Sequence, residues 1–174
     1  MLDKGDFKEF VQSLIIAGIL AFFIISFVAQ SFIVDGQSMY PTLHDGERLF
    51  VNKFIYRFRP PERFEIIVFT PNGLPDSKFI KRVIGLPGET VFIKDGITYI
   101  DGQPLKEDFL IEKMRDDFGP YLVGEDEVFV MGDNRNNSED SRRSYVGNVK
   151  YNSITGKAFW VYWPLNMMRL INDN

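Results

Sequence analysis

Between Glu9 and Asp35 the chain carries no charged residue. A helix needs roughly 20 mainly apolar residues to cross about 30 Å of hydrocarbon. The densest part of the run, Leu14 to Val28, supplies most of that length between uncharged flanks. A helix buried in a globular core would keep a polar face, and this run is apolar on every side. A cleaved secretory leader would need a basic start and a small-x-small cleavage site. Here Asp3, Asp6 and Glu9 offset Lys4 and Lys8, and bulky Phe27 stands two residues before Ala29. The run reads as one uncleaved membrane anchor in a lipid bilayer. With only two lysines beside it, the positive-inside rule says little about orientation.

After Asp35 the pattern changes to short β-like stretches. Leu49–Ile55, Phe64–Thr70, Lys78–Ile84, Thr90–Lys94, Ile97–Ile100, Glu127–Met131 and Ala158–Trp163 are each bounded by turn-forming residues. Asp95-Gly96 between two of them is a two-residue hairpin signal. Outside the anchor no long stretch has a 3.6-residue period, apart from a short turn expected near Asp108–Arg115. Residues 102–125 read as an excursion between strands. The expected fold is mainly β, an antiparallel sheet closed as a barrel or sandwich, preceded by one transmembrane helix.

Composition narrows the chemistry. A net charge of -4 and a pI near 5.1 argue against a nucleic-acid partner. With no cysteine there is no disulfide framework, zinc-thiolate site or thiol nucleophile, and a single histidine, His44, excludes a multi-imidazole metal site.

Three segments carry chemical interest. In DGQSMYPTL (residues 35–43), Gly36 permits an unusual backbone and Pro41 restricts another, so Ser38 sits on a rigid turn just after the anchor. Alone, it would be an ordinary turn serine. In FIKRVIGLPGE (79–89), alternation puts Lys81 on one face with Phe79 and Val83, and Arg82 on the other as a structural residue. Lys81 either snorkels harmlessly or is buried, and burial disfavours its charge. Lowering its pKa from about 10.4 to about 8 takes roughly 3 kcal/mol. The third segment, GDNRNNSEDSR (132–142), fails as a calcium loop because Arg135 occupies the third position from Asp133. It reads as a self-bonded loop with Asp140 paired to Arg142 or Arg135, able to hold a hydroxyl near a lysine amine.

Together and in this order, these segments resemble the bacterial type I signal peptidases. QSMYPTL (37–43) is similar to the nucleophile box of that family, RFEIIVF (63–69) to its following strand, KRVIGLPGE (81–89) to its lysine box, and GDNR…DSR (132–142) to its final box. The resemblance implies Ser38 as nucleophile, Lys81 as general base, and Ser138, Asp140 and Arg142 as supporting residues. It also implies a substrate pocket lined by Phe32, Val34, Leu43 and Ile80. Gly36 stands where one branch has a hydroxyl residue of the oxyanion hole, so here backbone N–H groups must serve, that of Ser38 among them. Gly36 and the single anchor resemble the Gram-positive branch.

The implied layout is residues 1–9 cytoplasmic, 10–31 in the membrane, and 32–174 as an extracytoplasmic peptidase domain. The implied activity is removal of signal peptides from preproteins after a small-x-small motif, with no metal or organic cofactor. Two alternatives stand beside it. One is a self-cleaving Ser-Lys repressor, which would carry a DNA-binding helical part that the sequence lacks. The other is an inactive membrane-tethered β-domain scaffold.

Overall fold

The computed structural model describes residues 4–173, apart from the side chains of residues 4–6, 21 and 23–28. Helix α1 (Lys4–Val28) leads into strands β1 (Ala29–Ile33), β2 (Arg48–Asn52), β3 (Ile66–Phe69), β4 (Phe79–Gly85), β5 (Thr90–Lys94) and β6 (Ile97–Ile100). They are followed by β7 (Gln103–Pro104), β8 (Phe118–Leu122), β9 (Glu127–Met131), β10 (Val149–Lys150), β11 (Ile154–Trp163) and β12 (Arg169–Leu170). The strands form two sheets. The larger runs β1-β2-β11-β3-β4-β9-β10, with β12 also on β11, and the smaller runs β7-β6-β5-β8. Every pairing is antiparallel. The larger sheet is an open path with β1 and β10 at its ends, rather than the closed barrel that was one expectation.

The helix begins and ends earlier than the expected 10–31. Ala29–Ser31 leave it because Ala29–Ile33 pairs in register with Asn52–Arg48, and that ladder satisfies their backbone groups. The described apolar side chains of α1, among them Phe7, Phe10, Leu14, Leu20 and Phe22, are exposed, and none of the three core clusters includes them. Among the described residues no helix is long and apolar enough to cross a membrane. Of the densest part of the apolar run, Leu14 to Val28, residues 21 and 23–28 have side chains outside the described set.

Period-two alternation sorts the core onto both faces of the large sheet. In β3, Ile66 and Val68 enter one cluster with Val34, Met39, Leu43 and Leu49, while Ile67 and Phe69 enter another with Val83, Val128 and Val130. In β9, Phe129 and Met131 turn instead toward the smaller sheet, against Ile84, Val91 and Ile93. Each such side chain contributes roughly 1.5–3 kcal/mol of burial. A strand covered on both faces reads as a continuous apolar run, as IIVF does in β3.

The Asp95-Gly96 hairpin forms where the sequence puts it. Lys94 pairs with Ile97, and φ is +52° at Asp95 and +76° at Gly96, the positive pair a two-residue turn requires. The 102–125 excursion contains two strands, and no helix forms at Asp108–Arg115. Strand β8 escapes sequence reasoning because Gly119 and Pro120 sit inside it. It is tolerated because β8 is the edge of the smaller sheet.

Candidate active site

Ser38 rides on a turn held from below. Met39 and Leu43 are fully buried, and Leu43 N–H donates to Met39 O at 2.9 Å. Gly36 takes φ +83° and donates its N–H to Asp45 Oδ1 at 2.8 Å, so the entry to the turn is both glycine-dependent and anchored. Thr42 Oγ1 donates to Asp133 Oδ2, tying the turn to the segment after β9.

Lys81 enters from the middle of β4, opposite Ile67 of β3. Its side chain is 5% exposed, with Nζ 5.2 Å from the centroid of the Phe79 ring, as a shared face requires. Nζ lies 2.8 Å from Ser38 Oγ and donates to Ile80 O at 2.8 Å. Burial lowers its pKa to about 8, against an opposing pull from the carboxylates of Asp140, Asp133 and Glu139. A neutral amine with one N–H committed to Ile80 O has a lone pair free for the Ser38 proton. That arrangement can perform acyl transfer through an activated hydroxyl.

The neighbouring Arg82 points the other way and is wholly buried. Its Nε and Nη2 donate to Asp133 Oδ1 and Oδ2 at 2.9 and 2.7 Å. Past Asp133 the chain curls so that Arg142 Nε and Nη2 each donate to the Asp140 carboxylate at 2.8 Å, and Arg142 Nη2 also donates to Arg135 O at 2.7 Å. Burial would raise the Asp140 carboxyl, but the hydrogen bonds and charge of Arg142 hold it below its ordinary value. Of the two partners the sequence left open for Asp140, the structure selects Arg142, and Arg135 pairs with Glu107 instead.

Ser38 and Lys81 open onto a cleft of about 510 Å³ whose walls include Phe32, Val34, Ile80 and Ser138. Leu43 is not among its lining. It lies in the core beneath the turn, with Val34 and Leu49, so its place in the expected pocket is corrected. Ser138 reaches the cleft but does not bond the lysine amine, whose second partner is Ile80 O. Its Oγ is buried near the Asp140 carboxylate, yet makes no hydrogen bond of ordinary geometry among the described residues. His44 faces elsewhere, with its ring edge-on to Tyr40 at 5.3 Å and Nδ1 3.6 Å from Glu47.

The family model described as "Signal peptidase, peptidase S26" matches residues 7–163. The chain belongs to the S26 signal peptidase family. "Signal peptidase I S" of Bacillus subtilis is 39% identical over 180 residues, covering 97% of this chain and 96% of that protein. "Probable signal peptidase I-2" of Synechocystis is 40% identical over 176 residues, covering 98% of this chain and 80% of that one. A crystal structure of a signal peptidase I from Enterococcus faecalis superposes with a TM-score of 0.50 at 39% identity, over 57% of this chain and 97% of the other. This family member is a serine endopeptidase with a mainly β, antiparallel catalytic fold.

Sequence reasoning missed two contacts at the site. Asp133 is the counter-ion of Arg82, and Asn134 binds the backbone carbonyls of Gln37 and Ser38. A buried arginine on the face opposite Lys81 demands a carboxylate, so the Arg82 pair had a signal. The Asn134 contacts had none.

Proposed function

We propose that this S26 family member is a membrane-bound signal peptidase that removes N-terminal signal peptides from exported preproteins through a Ser38-Lys81 dyad. The observation that carries this is the 2.8 Å approach of Lys81 Nζ to Ser38 Oγ, with the amine pKa held near 8 by burial. Neutral Lys81 takes the Ser38 proton as Oγ attacks the scissile carbonyl. The resulting ammonium then protonates the departing amino group, and the acyl-enzyme is hydrolysed by water that the regenerated neutral Lys81 deprotonates. An inactive scaffold has no need to bury a lysine against a serine hydroxyl.

The cleft suits an extended peptide. Strand β9 pairs with β4 from Arg82 onward and leaves Phe79 and Ile80 without a partner on that side, while Phe32–Ser38 form the facing wall. A substrate strand adding there would send alternate side chains into the apolar lining of Phe32, Val34 and Ile80. That lining has room for small residues, as a small-x-small motif supplies.

The apolar α1 serves as a single anchor in this reading, with residues 1–9 cytoplasmic and the β domain outside, next to signal peptides still in the bilayer. Protease added to intact cells should then digest the β domain and spare the first residues, and the opposite pattern would reverse the topology. For the activity itself, purified protein should process a preprotein to a single mature N-terminus while Ser38→Ala does not. Processing that survives Ser38→Ala would overturn the assignment.

A further inference from the structure

The segment after β9 holds the nucleophile by its backbone as well as supporting the arginines around it. Asn134 N–H donates to Ser38 O at 3.0 Å, and Asn134 Nδ2 donates to Gln37 O at 3.1 Å. These carbonyls belong to the two peptide planes that flank the Ser38 Cα, so one residue grips both. The approach depends on Gly132, where any Cβ would collide with Ser38 O and with Ser138 Oγ. Gln37 O also accepts from Tyr40 N–H at 3.1 Å.

A trans peptide is planar, with its N–H on the edge opposite its C=O. Holding Gln37 O therefore sets the direction of Ser38 N–H. That N–H has no acceptor among the described residues, and both Gln37 and Ser38 line the cleft. Gly36 has no side chain that could share in binding an oxyanion. We infer that Asn134 is a positioning residue of the oxyanion hole, orienting the Gln37–Ser38 peptide so that Ser38 N–H meets the negative oxygen formed when Oγ adds to the scissile carbonyl. This rests on the peptidase reading above.

The effect is confined to the transition state. In the ground state the substrate carbonyl is neutral and draws little from an N–H donor. In the tetrahedral intermediate its oxygen carries the charge, and aligned donors matter most there. Losing an oxyanion-hole donor outright lowers kcat by about 10²–10³-fold, and misaligning one costs part of that. Asn134 is half-buried, and Tyr40 N–H still satisfies Gln37 O without it, so the fold has a remaining partner for that carbonyl.

The test uses the full-length chain in detergent with a signal-peptide substrate, comparing wild type, Asn134→Ala and Asn134→Asp. Asn134→Asp keeps the side-chain shape but points a carboxylate at Gln37 O. Both variants should lower kcat, by about 10-fold for Ala and more for Asp, with KM within about threefold. The acid limb of the pH profile should stay where it is, because Lys81 is untouched. A peptide boronate, whose adduct with Ser38 places a hydroxyl in the oxyanion position, should lose affinity in proportion to kcat/KM, while a non-cleavable ground-state peptide keeps its affinity. A kcat within twofold of wild type in both variants overturns the inference, as does equal loss of boronate and ground-state peptide affinity. If Asn134→Asp fails to fold by circular dichroism, Asn134→Ala decides alone. Failure of the wild type to cleave any signal peptide would instead count against the proposed function.

Discussion

Arg82 and Asp133 form a two-point ion pair with both side chains out of water, 1% and 0% exposed. Arg82 adjoins Lys81 in β4, and Asp133 stands one residue before Asn134, so the pair joins the strand of Lys81 to the segment that bonds the Gln37 and Ser38 carbonyls. Arg82 Nη1 also donates to Phe64 O at 2.9 Å, and its guanidinium lies 4.1 Å from the centre of the Phe109 ring. Removing one partner of a buried pair leaves an uncompensated charge at about 3–5 kcal/mol. Asp133→Ala should therefore lower stability by that amount in urea unfolding, and a loss under 1 kcal/mol would show that the pair is not structural.

The choice of base is decided by Lys81→Met against His44→Ala. Methionine keeps the apolar packing and cannot take a proton, so kcat should fall by on the order of 10³-fold or more. His44 packs on Tyr40 and Glu47, and its alanine variant should retain kcat within about threefold. In the proposed mechanism Lys81 acts in its neutral form, so kcat/KM should rise with pH through about 8. An acid limb near 6.5 that disappears in His44→Ala would replace lysine with histidine as the base.

Lys81 also links pH to stability. Its pKa is about 8 in the fold against 10.5 as an ordinary lysine. Between those values the unfolded chain binds more protons than the folded one, so folding becomes more favourable as pH rises through the window. Lys81→Met lacks this dependence. Relative to wild type it should be most stabilised at pH 7, by up to about 3 kcal/mol, with the advantage fading toward pH 10.5. Parallel urea titrations at the two pH values measure it, and a pH-independent difference between the variants would mean that the amine is not desolvated.

Ser138 Oγ is buried without a well-formed hydrogen bond, an arrangement that is costly in a resting fold. Ser138→Ala should leave the melting temperature unchanged or raised. If the hydroxyl engages the lysine amine once substrate excludes water, the same variant should lose kcat by about 10–100-fold. A destabilised variant with full activity would make Ser138 purely structural.

In the proposed reading, pocket width follows from the cleft-lining residues Phe32, Val34 and Ile80. Substrates with Ala at -1 and -3 should be cleaved far faster than those with Phe or Lys there. Ile80→Ala should raise kcat/KM for a Val substrate at one of these positions, since a methylene in such a pocket is worth about 1–3 kcal/mol. An unchanged preference in Ile80→Ala would move the pocket elsewhere.

Local chemistry determined much of this protein without reference to its tertiary structure. The Asp95-Gly96 turn needs two positive φ angles in succession, and only residues tolerant of them occur there. Strands β4, β5, β6 and β9 announce themselves by short apolar-rich runs between turn residues, nearly continuous in β9 and alternating with more exposed positions in β5 and β6. Lys81 was legible for the complementary reason, as an ionisable group in a segment that otherwise excludes water. The tertiary structure alone decided what depends on distance in space between residues far apart in sequence. It sent Leu43 into the core because the turn must be plugged from below. It ended the helix at Val28 because β2 offers the next residues a ladder, and paired Asp140 with Arg142 while Glu107 claimed Arg135. It set Asn134 against the Gln37 and Ser38 carbonyls. Backbone carbonyls are the same at every residue, so a contact made to them leaves no pattern in the sequence.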